Sequence, residues 1–216
     1  MLSTSAIDEY LAQALALWRR IYSEDSGLGA SDHELSSIKG LWIVSLYAAL
    51  EYATNSLVTQ SLSHIENTGV KYGECRLELQ PILHRSRVQS IRDCATSKSH
   101  SAAFDLIMAT SSPQEIRRVG HPLSEVLQNV DGYSIQLIVQ LFGISDYRID
   151  RAALIKLNNL KERRNAVSHG RETAAQAGQN FNLKSMKDIY DVTDYEIQRL
   201  AKRLTRFLSS NEYLRR

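Results

Sequence analysis

The 216-residue sequence has few of the residues that interrupt helices and few that cross-link a chain. Its 10 glycines and 3 prolines favour long helices over a turn-rich β fold. Cys75 and Cys94 show neither the spacing of a metal site nor a disulfide framework. The sequence therefore predicts an all-α fold and a reduced, cytoplasmic protein.

Long apolar runs and a secretory signal are also lacking. The apolar stretch at residues 41–50 is ten residues long, whereas a membrane-spanning helix needs about 20. Near the N-terminus, Asp8 and Glu9 come too early and Arg19 and Arg20 too late for a signal peptide. With 43% hydrophobic and 23% charged residues, the composition is typical of a globular protein that does not enter a membrane.

Sequence patterns for metals and common cofactors are absent. Most histidines have no acidic residue, cysteine or second histidine at ligand spacing, namely His33, His64, His84, His100 and His121. The chain has no P-loop, no Rossmann glycine pattern and no serine-nucleophile elbow. We expect neither a bound metal nor a cofactor.

Charge is unevenly distributed, although the net charge is only +2. Residues 1–150 contain 12 lysines and arginines against 17 acidic residues, whereas residues 151–216 contain 14 against 7. This basic last third predicts a positive field around a phosphate-handling site. The alternative is that the basic residues merely coat the solvated faces of two helices.

Capping residues and apolar spacing predict a bundle of helices within a single domain of residues 1–216. The predicted helices cover about residues 5–22, 31–65, 134–142, 150–169 and 189–208. The polar segment 170–184, rich in glycine, alanine and glutamine, is predicted to be an exposed loop.

Residues 70–120 are predicted to form an irregular central insertion. A brief alternation at residues 71–79 is compatible with a strand, although Pro81 favours the start of a helix there. Ser112 and Pro113 mark another helix start, and the sequence Gly120-His121-Pro122 interrupts that helix.

The sequence RRNAVSHG at residues 163–170 contains the strongest candidate site. Arg164 interrupts an apolar stripe, and Asn165 precedes His169 by one helical turn. An always-charged guanidinium beside a group that titrates near neutrality suits cleavage of a phosphodiester without a metal. The alternative is a structural arginine bonded to an acid of a neighbouring helix, together with a histidine that only caps its own helix.

These residues resemble the RNxxxH signature of HEPN domains, the higher eukaryote and prokaryote nucleotide-binding superfamily. The segment YAALEY at residues 47–52 is similar to an aromatic-small-small-apolar-Glu-aromatic segment on an early core helix of prokaryotic HEPN nucleases. A short helix that ends in Phe142-Gly143-Ile144 also precedes the motif helix, as in HEPN toxins. The resemblance covers a core of about residues 31–65 and 125–208.

The resemblance implies an all-α homodimer that cuts RNA without a metal and leaves a 2′,3′-cyclic phosphate. His169 would be the general acid or base, and Arg164 would hold the scissile phosphate. Asn165 would position His169 or the phosphate, and Glu51 would anchor Arg164 if their helices pack together. An ordinary surface glutamate at position 51 is the alternative.

The resemblance further implies the toxic effector of a toxin–antitoxin or antiphage system, acting on tRNA or mRNA. HEPN toxins that are silenced by a nucleotidyltransferase carry a tyrosine two places after the histidine, and this chain has Arg171 there. Another antitoxin or a sensor protein would then be the partner. The alternative function is a non-catalytic helical module that binds RNA or protein, as an antitoxin or regulatory subunit does.

Overall fold

Helices account for nearly all regular structure in the computed structural model, which describes residues 2–25, 32–117, 123 and 127–215. The helices are α1 (Ser5–Asp25), α2 (Asp32–Asn67), α3 (Gln80–Leu83), α4 (Arg85–Asp93), α5 (Thr96–Ala109), α6 (Gly132–Leu141), α7 (Arg151–Ser168), α8 (Ala174–Gln179) and α9 (Leu183–Ser209). The described ranges contain isolated β-bridges but no strand. None of their helices has the length and apolarity that a membrane crossing requires. The predicted all-α fold class is confirmed.

Helix α2 is the centre of the bundle. It packs against α1, α7, α8 and α9, so apolar residues occur around most of its circumference. Trp42, Leu46, Leu50 and Leu57 are completely buried. The indole N–H of Trp42 donates a hydrogen bond to the carbonyl of Ala14 at 3.0 Å, so burial of this large ring leaves no polar group unpaired.

Helices α7 and α9 lie antiparallel. Lys156 of α7 is 3.9 Å from Asp188 near the start of α9. Asp146, which precedes α7, pairs at 2.7 Å with Arg203 near the end of α9. The last turn of α7, which carries the RNxxxH motif, therefore lies at the end of the bundle where α9 begins.

The prediction of an exposed loop at residues 170–184 is wrong over helix α8, in which Ala175, Ala177 and Gly178 are buried. A Cβ atom on Gly40 of α2 would lie 2.0 Å from the carbonyl oxygen of Ala174, and one on Gly178 would lie 1.8 Å from that of Ser36. The two backbones approach this closely only because both positions are glycine. A small-residue contact of this kind produces no amphipathic pattern in the sequence.

The central segment is irregular, as predicted, but it contains helices that the sequence did not reveal. Residues 71–79 form two 3₁₀ turns and no strand, and Pro81 lies in the first turn of α3. The predicted helix start at Ser112 is wrong over residues 112–117. There the backbone pairs with residues 70–73, including Ile116 N–H to Val70 carbonyl at 3.0 Å, and these bonds preclude helical ones. The predicted interruption at residues 120–122 lies outside the described residues.

Candidate active site

The end of α7 holds His169 in a defined position. Asp150 caps the start of the helix by accepting a hydrogen bond from the Ala153 N–H at 2.9 Å. At the other end, Gly170 has φ +68° and donates to the Val167 carbonyl, while the Arg171 N–H bonds the Ala166 carbonyl at 2.9 Å. This pair of bonds is a Schellman motif, which needs glycine at its left-handed position. His169 is the last residue before that glycine, and it is exposed.

Arg164 lies in a cradle formed by two residues of α2. Its Nη2 atom donates to Glu51 Oε1 at 3.2 Å, and its guanidinium carbon lies 3.8 Å from the centre of the Tyr47 ring. Tyr47 and Glu51 are four residues apart, so they share one face of α2. Only 16% of the Arg164 side chain and 32% of the Glu51 side chain are exposed. The contact between Glu51 and Arg164 is thus present, while a catalytic role for either remains a prediction.

Burial changes the protonation chemistry of both residues that hold Arg164. It raises the pKa of Tyr47 to about 12; the Glu51 carboxylate acts in the same direction, and the Arg164 guanidinium opposes it. Burial also raises the pKa of Glu51, again against the opposing effect of Arg164. Tyr47 is therefore a neutral aromatic surface at physiological pH, the form that attracts a cation through its ring.

Asn165 and His169 lie on a different side of α7 from Arg164. Five residues of helix separate Arg164 from His169 by about 140° around the axis, whereas Asn165 and His169 differ by only about 40°. The Asn165 Oδ1 atom is buried and accepts no hydrogen bond from the residues that the structure describes. This oxygen is an unused acceptor within the motif, and no hydrogen bond among the described residues links Asn165 to the His169 imidazole.

Other polar contacts fix the motif helix without touching the motif. Lys161 pairs at 2.6 Å with Asp131, the residue that caps α6, and Asn158 Oδ1 accepts from the Gly132 N–H at 3.2 Å. Arg163 places one guanidinium nitrogen at 3.3 and 3.2 Å from the two carboxylate oxygens of Glu172. Lys161 and Arg163, the basic residues beside Arg164 on α7, are thus paired with carboxylates outside the motif.

Tyr47 is the site residue whose contact with Arg164 the sequence did not reveal. The motif resemblance drew attention to the segment that contains it, but assigned a role only to Glu51. The i, i+4 spacing of Tyr47 and Glu51 was the available signal, because it places both on one helix face. No three histidine, cysteine, aspartate or glutamate side chains cluster at metal-binding distance within the described ranges.

A comparison with known families gives a match for this chain. The family model described as RiboL-PSP-HEPN matches residues 11–206, which include Tyr47, Glu51 and the whole of α7. The match also spans residues 70–120, which the motif resemblance did not cover. Searches of curated proteins and of solved structures found no match. The chain belongs to the RiboL-PSP-HEPN family, an all-α family whose domain indicates a nucleotide-related, RNase-like function.

Proposed function

We propose that this protein is a metal-independent endoribonuclease whose active centre contains Arg164 and His169. The observation that carries the proposal is the cradle of Tyr47 and Glu51 around Arg164. A half-buried guanidinium held by a ring and a single carboxylate keeps further N–H groups for a phosphate oxygen. His169 is exposed on the last turn of the same helix, where an RNA strand can reach it.

In the proposed reaction, the ribose 2′-OH attacks the adjacent phosphorus. One imidazole takes the 2′-OH proton as a P–O2′ bond forms, and an imidazolium gives a proton to the 5′-oxygen as the P–O5′ bond breaks. The products are a 2′,3′-cyclic phosphate and a 5′-OH, with no change in oxidation state. Arg164 stabilises the charge that develops on the phosphoryl oxygens, and the Asn165 amide orients His169 or the phosphate.

A homodimer is part of the proposal, since one chain supplies one motif histidine to a reaction that uses an acid and a base. The exposed face of α7 supports this arrangement. Ile155, Glu162 and His169 are seven residues apart, so they lie almost in line along the helix. Ile155 is 52% exposed. Two copies of this face in contact would bury that isoleucine and bring two histidines towards one substrate.

RNA is the proposed substrate, with tRNA and mRNA as the candidates. We further propose that the enzyme is the toxic effector of a toxin–antitoxin or antiphage system, held inactive by an antitoxin or controlled by a sensor protein. Its RNase-like family supports this role.

The test incubates the purified protein with total RNA and with tRNA in excess EDTA. We expect discrete cuts that carry 2′,3′-cyclic phosphate ends, and a loss of about 10²–10⁴-fold in rate for His169→Ala. Arg164→Ala should also abolish detectable cleavage. His100→Ala is the matched control, because His100 is an exposed histidine on α5.

Wild-type activity in either motif variant would refute the assignment of the active centre. Intact RNA with wild-type protein, combined with equal RNA affinity of wild type and His169→Ala, would favour the non-catalytic binding module. Unbound, intact RNA together with a lower melting temperature of Arg164→Ala would indicate that the motif only stabilises the bundle.

A further inference from the structure

The basic last third of the chain does not form one field around the motif. Asp146 contacts Arg203, while Lys156 contacts Asp188, so the C-terminal part of α9 lies beyond the N-terminal end of α7. Helix α7 has 18 residues, which corresponds to a length of about 27 Å. The arginines near the end of α9 are therefore separated from His169 by about the length of the motif helix.

Arg203 and Arg206, near the end of α9, line a cavity of about 640 Å³. This volume is typical of sites for small molecules and cofactors. We call it the arginine cleft, after Arg76, Arg203, Arg206 and Arg215 in its lining. The lining also contains three acidic residues, Glu78, Asp146 and Glu212. Four guanidiniums thus face three carboxylates in the cleft. The four arginines come from the central insertion, from α9 and from the segment that follows α9.

Two of the four arginines are fixed by strong contacts. Arg203 pairs through Nε with Asp146 and through Nη2 with Glu212, each at 2.7 Å, and only 13% of its side chain is exposed. Its Nη1 atom is buried and has no hydrogen-bond partner in the described residues. Arg76 donates through Nη1 to the Gly143 carbonyl at 2.9 Å. Arg76 also lies 3.9 Å from Glu78, so these two arginines form a fixed wall whose charge is compensated by neighbouring carboxylates.

The other two arginines are accessible and hardly compensated. Arg206 is 68% exposed, and its Nε lies 3.8 Å from Glu212, a carboxylate that Arg203 already binds at 2.7 Å. The Arg215 side chain is exposed and forms no ion pair with the residues described. Its backbone N–H is nevertheless held by the Glu74 carbonyl at 2.7 Å. The ion-pair network of the cleft is thus complete without the guanidinium of Arg215 and nearly so without that of Arg206.

We propose that the arginine cleft is an anion site that binds a phosphate-bearing ligand, with Arg206 and Arg215 as the groups that contact phosphate. Guanidiniums bind phosphate oxygens in bidentate pairs, and here they converge from two segments on one cavity. The phosphate can belong to the backbone of an RNA that extends beyond the motif, or to a free nucleotide. The proposal does not depend on RNA cleavage, because the cleft shares no residue with the motif.

The experiment measures binding of inorganic pyrophosphate to the full-length protein by calorimetry at low ionic strength. We expect saturable binding that is weakened at least about tenfold by Arg206→Glu or Arg215→Glu, since each removes charge-assisted hydrogen bonds. Lys184→Glu is the matched control; it reverses an exposed charge at the other end of α9 and should leave affinity unchanged. Arg215→Ala is a milder variant, because the Arg215 side chain forms no hydrogen bond or ion pair within the described part of the chain.

Competition then identifies the source of the phosphate. A 2′-deoxy oligonucleotide, which cannot undergo 2′-OH attack, displaces pyrophosphate if the cleft binds a nucleic-acid backbone. ADP displaces it while the oligonucleotide does not if the natural ligand is a free nucleotide. Absence of saturable pyrophosphate binding, or equal affinity in wild type and in the Arg206→Glu and Arg215→Glu variants, would overturn the proposal. RNA cleavage that persists in these variants would leave the proposed active centre intact, so the two proposals fail separately.

Discussion

The Tyr47 ring is the residue-scale feature that most directly positions Arg164. A cation over an aromatic face gains about 0.5–2 kcal/mol, more when it is shielded from water. We predict that Tyr47→Leu, which removes this surface, lowers the rate of RNA cleavage at least about tenfold. Tyr47→Phe should keep cleavage within about twofold, because the ring is retained and the buried hydroxyl forms no hydrogen bond of standard geometry with the residues described. Single-turnover cleavage rates provide the measurement.

Both Tyr47 variants must be compared at equal folded fraction. Tyr47→Leu also leaves a cavity in the core, so thermal unfolding has to show that the variant is folded at the assay temperature. Equal loss of cleavage in Tyr47→Phe and Tyr47→Leu would argue against the stacking role and would point to the hydroxyl.

Glu51 provides a prediction in which stability and activity change in opposite directions. Burial raises its pKa, so the ionised carboxylate destabilises the fold at a pH above that pKa, and the destabilisation disappears as the pH falls through it. Glu51→Gln removes the ionisable group while it retains an acceptor for Arg164. We expect its melting temperature to equal or exceed that of wild type at about pH 8 and this advantage to vanish by about pH 4. Cleavage should nevertheless fall about tenfold, because an amide holds the guanidinium less firmly.

Melting curves across that pH range, together with cleavage rates, test the Glu51 prediction. A Glu51→Gln protein that melts well below wild type at pH 8 and cleaves normally would mean that the ion pair serves stability alone.

At the residue scale, the sequence identified the motif residues and Glu51 as the partner of Arg164, but not the Tyr47 ring against the guanidinium. Arg164 was conspicuous because a charged residue interrupted an apolar stripe, and that irregularity survives folding as a half-buried ion pair with Glu51. The Asn165 Oδ1 atom, which accepts no hydrogen bond from the residues described, has no such signal in the sequence. Whether a particular amide finds a partner depends on the tertiary surroundings, which helical spacing does not encode.

The contact between α2 and α8 gives the element-scale prediction. Alanine normally stabilises a helix interior by about 0.5–1 kcal/mol relative to glycine. At Gly40 the new Cβ would lie 2.0 Å from a backbone oxygen of α8, and that oxygen cannot rotate away as a side chain can. We predict that Gly40→Ala lowers the free energy of unfolding by about 1–3 kcal/mol despite the better propensity. Urea denaturation of Gly40→Ala and wild type measures this difference in the free energy of unfolding.

Ser63→Ala supplies the control for Gly40→Ala. Ser63 is exposed on the same helix, so alanine there should change stability by no more than about 0.5 kcal/mol. A Gly40→Ala protein that is as stable as Ser63→Ala would show that α8 does not pack closely on α2 in solution.

Elements with a large apolar stripe were predictable, whereas elements stabilised in other ways were not. The expected helices at residues 5–22 and 31–65 correspond to Ser5–Asp25 and Asp32–Asn67. Helix α8 was missed because alanine and glycine pack by close backbone approach. Helices α4 and α5 were missed because neither contains a buried residue, so no periodic apolar pattern marks them.

At the scale of the whole molecule, the sequence shows how many basic residues the last third of the chain contains, but not where the fold places them. The +7 balance of residues 151–216 suggested one positive field, but the antiparallel packing of α7 and α9 distributes it to two ends of the bundle. One part lies at the motif and another at the arginine cleft. Sequence position cannot separate these two ends, because that separation arises from the direction in which α9 returns along α7.

The exposed face of α7 carries the prediction about assembly. Ile155 is 52% exposed on this face, and burying an isoleucine contributes about 1.5–3 kcal/mol. We predict a dimer in light scattering, and we predict that Ile155→Glu weakens dimerisation at least about tenfold and lowers cleavage in parallel.

Ile107→Glu is the matched control, because Ile107 is 65% exposed on α5, away from the motif helix. This variant should leave the molecular mass and the cleavage activity unchanged. An active wild-type monomer would remove the need for two histidines at one phosphate. A dimer that Ile155→Glu does not disturb would place the interface on another face.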